Sequence, residues 1–291
     1  MLAPLSIGVL ARQTRTRGVA MINCMTVRAK SVLLGLLVAA ISVASAVPAG
    51  AIVGGAKADR QYPFMASLAH PVIPWEPKHF CGGAVIAPTW VLTAAHCVDL
   101  TEGDRFPLDK MTVRVGSNRN DTGGELVGVK RVVVHPDYSP PGPREGGDIA
   151  LVELTKPVSV QPVALPASTP AVGTPARAIG WGRTCAKDTE VKCVNPPREL
   201  KQLDMTVDER KQCTRSASDP RELCLRSNEK GGAICFADSG SPQIAKIDGR
   251  WTLLGPLSRS GTTKGSTDCE GAHGIYADVS AHRAWVAAHT G

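Results

Sequence analysis

Along most of the chain, apolar positions come in short bursts rather than in helical stripes. Met111-Thr112-Val113-Arg114-Val115 alternates strictly, and Val127–Val134, Ile149–Leu154, Ala176–Gly180, Leu200–Val207, Trp251–Leu257 and Gly274–Val279 are similar short runs. Successive side chains of a strand point to opposite faces, so this spacing predicts strands rather than helices. Gly, Pro, Asn and Asp fill the gaps, as in Gly116-Ser117-Asn118 and Ser139-Pro140-Pro141-Gly142-Pro143. Many short strands separated by turn signals predict an all-β barrel or sandwich. Only Ser280–Thr290 reads as helix, with Ser280 as the candidate N-cap and Trp285, Val286, Ala288 and His289 continuing the turns. There is no repeat of 20–50 residues.

The N-terminal segment follows a different pattern. Val32–Ala44 is a run of thirteen uncharged, mostly apolar residues. A comfortable membrane span needs about 20. Arg28 and Lys30 precede the run, and Ala44-Ser45-Ala46 offers small residues where a signal peptidase reads. Residues 1–46 are therefore expected to be a secretory signal, with export to the extracellular space and no stable membrane anchor. Residues 1–24 read either as an over-long start, Met25 then opening a signal of ordinary length, or as a long n-region.

Charge, placed along the chain, excludes one class of partner. The 291 residues carry 33 Lys+Arg against 26 Asp+Glu. The first 51 residues hold five of those basic residues and no acidic one, leaving 28 against 26 downstream. Binding to nucleic acids or membrane surfaces needs clustered positive charge, so neither is an expected partner. Cys24 falls in the signal, and eight cysteines remain: Cys81, Cys97, Cys185, Cys193, Cys213, Cys224, Cys235 and Cys269. An even number in an exported chain points to disulfides, and no C-x-x-C pair suggests a metal. Eight cysteines allow 105 pairings, and the sequence alone does not choose among them.

Three polar residues stand out against apolar neighbours. His96 lies in Thr93-Ala94-Ala95-His96-Cys97 after Trp90-Val91-Leu92; Asp148 follows two glycines and precedes Ile149-Ala150-Leu151; Ser239 lies in Ala237-Asp238-Ser239-Gly240. Taken singly, each is ordinary turn chemistry. Together they are the residue types of a nucleophilic triad. A serine hydroxyl is a weak nucleophile until a neutral imidazole takes its proton, and the imidazole needs a carboxylate to fix its tautomer.

With Ile52-Val53-Gly54-Gly55, Thr93–Cys97, Asp148–Leu151, Gly180-Trp181-Gly182 and Asp238-Ser239-Gly240 in this order, the chain resembles the secreted chymotrypsin/trypsin-like serine proteases from residue 52 to the C-terminal helix. The resemblance implies two six-stranded antiparallel β-barrels, 52–165 and 166–280, a terminal helix over 281–291, and a site in the cleft between the barrels. His96, Asp148 and Ser239 would be the catalytic triad, and the N–H groups of Ala237 and Ser239 the oxyanion hole. It implies the bridges Cys81–Cys97, Cys213–Cys224 and Cys235–Cys269, with Cys185 and Cys193 left to pair. It also implies a zymogen. Cleavage after Ala46 leaves the propeptide 47–51, whose removal would free the Ile52 ammonium to pair with Asp238. No cofactor or metal is implied, the substrates would be proteins or peptides, and a monomer is expected.

Several positions depart from the family pattern. Ala237 stands where glycine is usual, and a Cβ there penalises positive φ. The expected floor of the primary pocket is Ala233, with Ile234 beside it and Gly274 and Ser260 on its walls. These residues imply a neutral pocket for small or medium aliphatic side chains. Ser258 matches the residue that supports the triad carboxylate. Arg259 replaces a flat aromatic wall, and reads either as a solvated side chain or as a subsite for acidic groups. The principal rival to an active peptidase is a weak or inactive homologue that acts as a binding protein.

Overall fold

The computed structural model describes residues 52–71, 77–99, 107–139, 146–185, 197–213, 219–261, 269, 271 and 273–291. The expected signal and propeptide lie outside the described residues, as does Cys193. The described residues belong to a single compact unit.

The described strands, in chain order, are β1 (Ala56–Lys57), β2 (Met65–Pro71), β3 (Pro77–Ala87), β4 (Trp90–Thr93), β5 (Thr112–Val115), β6 (Glu125–Val134), β7 (Ala150–Leu154), β8 (Pro175–Gly180), β9 (Lys201–Asp208), β10 (Glu222–Ser227), β11 (Pro242–Ile247), β12 (Arg250–Ser260) and β13 (Gly274–Ala277). They form two closed antiparallel barrels. The first runs β2-β3-β4-β7-β6-β5 and closes through β2–β5, where Ala66 faces Val115. The second runs β9-β10-β13-β12-β11-β8 and closes through β8–β9. β1 is an extra strand on the outer edge of β9, with Ala56 opposite Gln202. The residues just after Ile52 therefore attach to the second barrel, although they fall in the range expected for the first.

The strand pattern follows from burial. β5 and β9 alternate, placing Val113 and Val115, and Leu203, Met205 and Val207, in the two barrel interiors. β4 and most of β7 are buried on both faces and read as continuous apolar runs. The first core gathers Val85, Leu92, Val113, Leu151 and Val152, and the second gathers Leu203, Leu225, Leu254 and Tyr276. Each fully buried aliphatic side chain of this size contributes about 1.5–3 kcal/mol. The terminal helix spans Arg283–Thr290 and buries Val286. It starts three residues later than Ser280, because the Ser280 hydroxyl donates to Asp278 Oδ1 (2.7 Å) instead of capping a helix.

Disulfides join Cys81 to Cys97, Cys213 to Cys224 and Cys235 to Cys269. Cys185 is also disulfide-bonded. No described helix is long and apolar enough to cross a membrane.

Candidate active site

β4 is buried along its whole length and delivers the chain into a 3-10 turn, Ala95–Cys97, that carries His96. The bridge to Cys81 in β3 pins that turn. Asp148 arrives just ahead of β7, after two glycines that nothing larger could replace. Gly146 has φ +69°, and a Cβ on Gly147 would lie 2.6 Å from the backbone of Asp137. These turns bring the two residues together. His96 Nδ1 is 2.8 Å from Asp148 Oδ2, and the His96 backbone N–H donates to Asp148 Oδ1 at 3.0 Å. Ser258, in β12 of the other barrel, donates its hydroxyl to Asp148 Oδ2 at 2.6 Å. Asp148 is 1% exposed. Burial alone would raise its pKa, but the imidazole, the Ser258 hydroxyl and the His96 N–H outweigh that and hold the carboxyl below its ordinary value. An ionised Asp148 accepting from Nδ1–H leaves Nε2 as the basic nitrogen, the tautomer a general base requires.

Ser239 sits on the loop ahead of β11, which at Ser239 and Gly240 is bonded once to each barrel, and a further bond steadies its first-barrel partner Gly82. The Gly82 N–H donates to Ser239 O (2.8 Å), the Gly240 N–H donates to Leu257 O (2.8 Å), and Thr93 Oγ1 donates to Gly82 O (2.7 Å). Gly240 has φ +72°, and a Cβ there would lie 2.2 Å from Thr93 Oγ1. Of the three expected triad members, His96 and Asp148 are joined directly. The Ser239 hydroxyl makes no hydrogen bond to the ring among the described residues. Cys81, His96 and Cys97 have donor atoms within 4.8 Å of one another, but the two sulfurs are bonded together and offer no thiolate to a metal.

The Ala237 and Ser239 N–H groups meet no protein acceptor among the described residues. Ala237 adopts φ +70°, a left-handed conformation that an L side chain resists. Its carbonyl is held by His79 Nε2 at 3.0 Å, and His79 Nδ1 meets Ser67 Oγ at 2.8 Å. Burial pushes the His79 imidazole down to about 4, the bond to Ala237 O pulling weakly the other way. The ring is thus neutral, donating from Nε2 to the carbonyl and accepting at Nδ1 from Ser67. His79 was missed in the sequence because it is a lone histidine in a strand, with no motif around it.

Asp238 is fully buried. Its carboxyl accepts the Gly182 N–H (2.7 Å) and the Cys235 N–H (3.0 Å), and burial pushes its pKa up to about 7 against the pull of those donors. Ile52 is 0% exposed and lines, with Asp238, Ile234 and Tyr276, the same small space in the second barrel. In the intact chain its backbone makes no bond to Asp238 among the described residues. Of the expected pocket residues, Ala233 is buried and pairs with Val53, Ile234 is buried in the second core, and Ser260 lies opposite Gly274 across β12–β13. A Cβ on Gly274 would lie 3.3 Å from Ile234 Cγ1.

Arg259 fits neither expectation for it. Its guanidinium turns inward and grips Glu222 through both nitrogens, Nη1 to Oε1 at 2.7 Å and Nη2 to Oε2 at 2.9 Å. It is neither a solvated side chain nor an open subsite for an acidic group. Glu222 carried no signal in the sequence because its partner is 37 residues away.

Residues 52–286 match the family described as Trypsin. Among curated relatives, Serine protease 28 of Mus musculus is 27% identical over 87% of this chain and 94% of its own length. Trypsin of Sarcophaga bullata is 31% identical over 72% of this chain and 78% of its own, and tryptase of Mus musculus is 32% identical over 71% and 78%.

Proposed function

The chain belongs to the trypsin family of serine peptidases, and from that premise we propose that it is a secreted endopeptidase working through a Ser-His-Asp acyl-enzyme mechanism. The observation that carries this reading is the buried Asp148 carboxylate gripping His96 Nδ1 while Ser258 supports it from the opposite barrel. Ser239 Oγ attacks the scissile carbonyl as His96 Nε2 takes its proton, and Asp148 stabilises the resulting imidazolium. The N–H groups of Ala237 and Ser239 receive the oxyanion. His96 then passes the proton to the leaving amine, and water repeats the sequence on the acyl-enzyme.

Activation supplies what the intact chain lacks. Cutting after Ala51 frees the Ile52 ammonium beside Asp238, giving that buried carboxylate a cationic partner. Ala51 precedes the cut, so an activator accepting small residues fits. Ala233, Ile234 and Gly274 offer no charge to a basic side chain, so the primary pocket takes small or medium apolar residues. The protein acts as a monomer.

A second reading, an inactive homologue that binds without cutting, draws on the missing Ser239–His96 hydrogen bond among the described residues and on the strained Ala237. One experiment separates the two. Protein beginning at Ile52 is incubated with an organophosphate serine reagent and digested for mass spectrometry. An adduct on Ser239, lost in Ser239→Ala, supports the peptidase; folded protein without an adduct supports the binding protein.

A further inference from the structure

We propose that Arg259 and Glu222 are positioning residues for the triad, a buried pair that orients Ser258 and anchors the Asp148 turn; this rests on the peptidase reading above. The register of β12 against β13 slips between Leu257, opposite Tyr276, and Arg259, opposite Ile275, leaving Ser258 as the extra residue of a bulge. In a regular strand neighbouring side chains point to opposite faces, and a bulge removes that rule locally. Ser258 and Arg259 therefore meet, with Arg259 Nη1 donating to Ser258 Oγ at 3.0 Å.

The direction of every proton in this chain is then fixed. A guanidinium has only donors, so Ser258 Oγ must accept from it, and the single hydroxyl proton of Ser258 is left to point at Asp148 Oδ2. A serine without that donor can rotate its proton away. The order is Arg259 to Ser258 to Asp148, which receives His96 Nδ1–H from the other side.

Glu222 holds the assembly from behind. It is 3% exposed, and Oε1 accepts the Gly146 N–H at 3.0 Å in addition to the guanidinium. Gly146 stands two residues ahead of Asp148, and its own carbonyl is 2.6 Å from His282 Nε2. One carboxylate thus ties β12 of the second barrel, through Arg259, to the turn that presents the triad aspartate from the first. Neither Arg259 nor Glu222 touches the reacting atoms, so both act through Ser258, Gly146 and Asp148.

The test compares protein beginning at Ile52 as wild type, as Arg259→Lys, and as the double variant Arg259→Met with Glu222→Gln. The double variant removes both charges together, retains an acceptor for Gly146, and so avoids the unpaired buried charge that could prevent folding of either single neutral variant. Two quantities are read: kcat and KM on a short peptide ester, and the proton NMR signal of His96 Nδ1–H. The double variant is expected to lose kcat by about tenfold, the low end of what losing the orienting partners of a metal-bound histidine costs. Its KM stays within about twofold, and the ring-proton signal broadens by exchange with solvent. Arg259→Lys, keeping the charge but on a single donor nitrogen, falls in between. An unaltered kcat with an unaltered ring proton overturns the proposal, as does a rise in KM alone, which would make Arg259 a wall of the groove. If wild type neither hydrolyses the ester nor takes the organophosphate, the peptidase reading fails, while the ring-proton comparison still decides whether the pair orients His96.

Discussion

Replacing Asp238 by Asn in the intact chain changes the dependence of stability on pH in a way that the structure predicts with its sign. Burial holds the Asp238 carboxyl at about 7, against an ordinary value of 3.8. A group whose folded pKa is raised contributes stability that is complete below its unfolded pKa and is lost as pH rises through the folded one. Each pH unit is worth about 1.4 kcal/mol. From pH 4 to 8 the intact chain therefore loses about 4 kcal/mol through Asp238, most of it below pH 7. His79 acts with the opposite sign. Its folded pKa is depressed to about 4 from 6.5, so its contribution grows by about 3 kcal/mol between those pH values. The two oppose each other in wild type, and a simple stability curve would blur both. Subtracting Asp238→Asn from wild type isolates the carboxylate. The amide accepts only one of the two backbone N–H groups, which adds an offset that does not vary with pH. Urea unfolding is followed at steps from pH 4 to 8, with Ser239→Ala in both proteins to prevent self-cleavage. The wild-type advantage should shrink by about 4 kcal/mol and then level off, while Asp238→Asn alone becomes more stable from pH 4 to 6.5. A level difference curve would refute the argument. Protein beginning at Ile52 should lack the decline, because the ammonium keeps Asp238 ionised throughout.

Two substitutions in the nucleophile loop give further outcomes. Ala237→Gly removes a Cβ from a left-handed position, releasing about 1 kcal/mol, most of which the greater freedom of unfolded glycine takes back. The unfolding midpoint should barely move while organophosphate labelling of Ser239 accelerates; an unchanged labelling rate would show that the methyl does not impede the oxyanion donors. Gly240→Ala drives a Cβ to 2.2 Å from Thr93 Oγ1 at a φ that only glycine adopts easily. It should cost at least about 2 kcal/mol by urea unfolding and most of the labelling, and a wild-type midpoint would count against the inter-barrel contact described here.

The strands legible in the chain are those with one face in a barrel and one in water. β5 and β9 alternate and were readable. β2 was not, since Met65 to His70 are all buried and the segment reads as a mixture of small and polar residues. β3 carries Gly82 and Gly83 because Ser241 and Val91 press against their backbones, and glycines argue against a strand when read locally. The expected triad residues lie in short contiguous motifs, and the resemblance carried them. His79 and the Glu222–Arg259 pair work through partners distant in sequence, and a bulge that leaves no trace in hydropathy makes the second possible.

Four of the contacts that hold the candidate site share one geometric property. Gly82 N–H to Ser239 O, His79 to Ala237 O, Ser258 to Asp148, and Glu222 to the Gly146 N–H each join a residue of one barrel to a residue of the other. No barrel contains a complete partner set. The aspartate is oriented by the second barrel, and the oxyanion loop by the first. Docking of the barrels and assembly of the site are therefore the same event. Any change that loosens the interface disorders the nucleophile loop and the Asp148 turn together, while each barrel's own strand ladder remains closed. Serine labelling should accordingly fail earlier in a denaturant series than the β-sheet signal in circular dichroism. Coincident loss of the two would mean that the barrels have no stability apart from their interface.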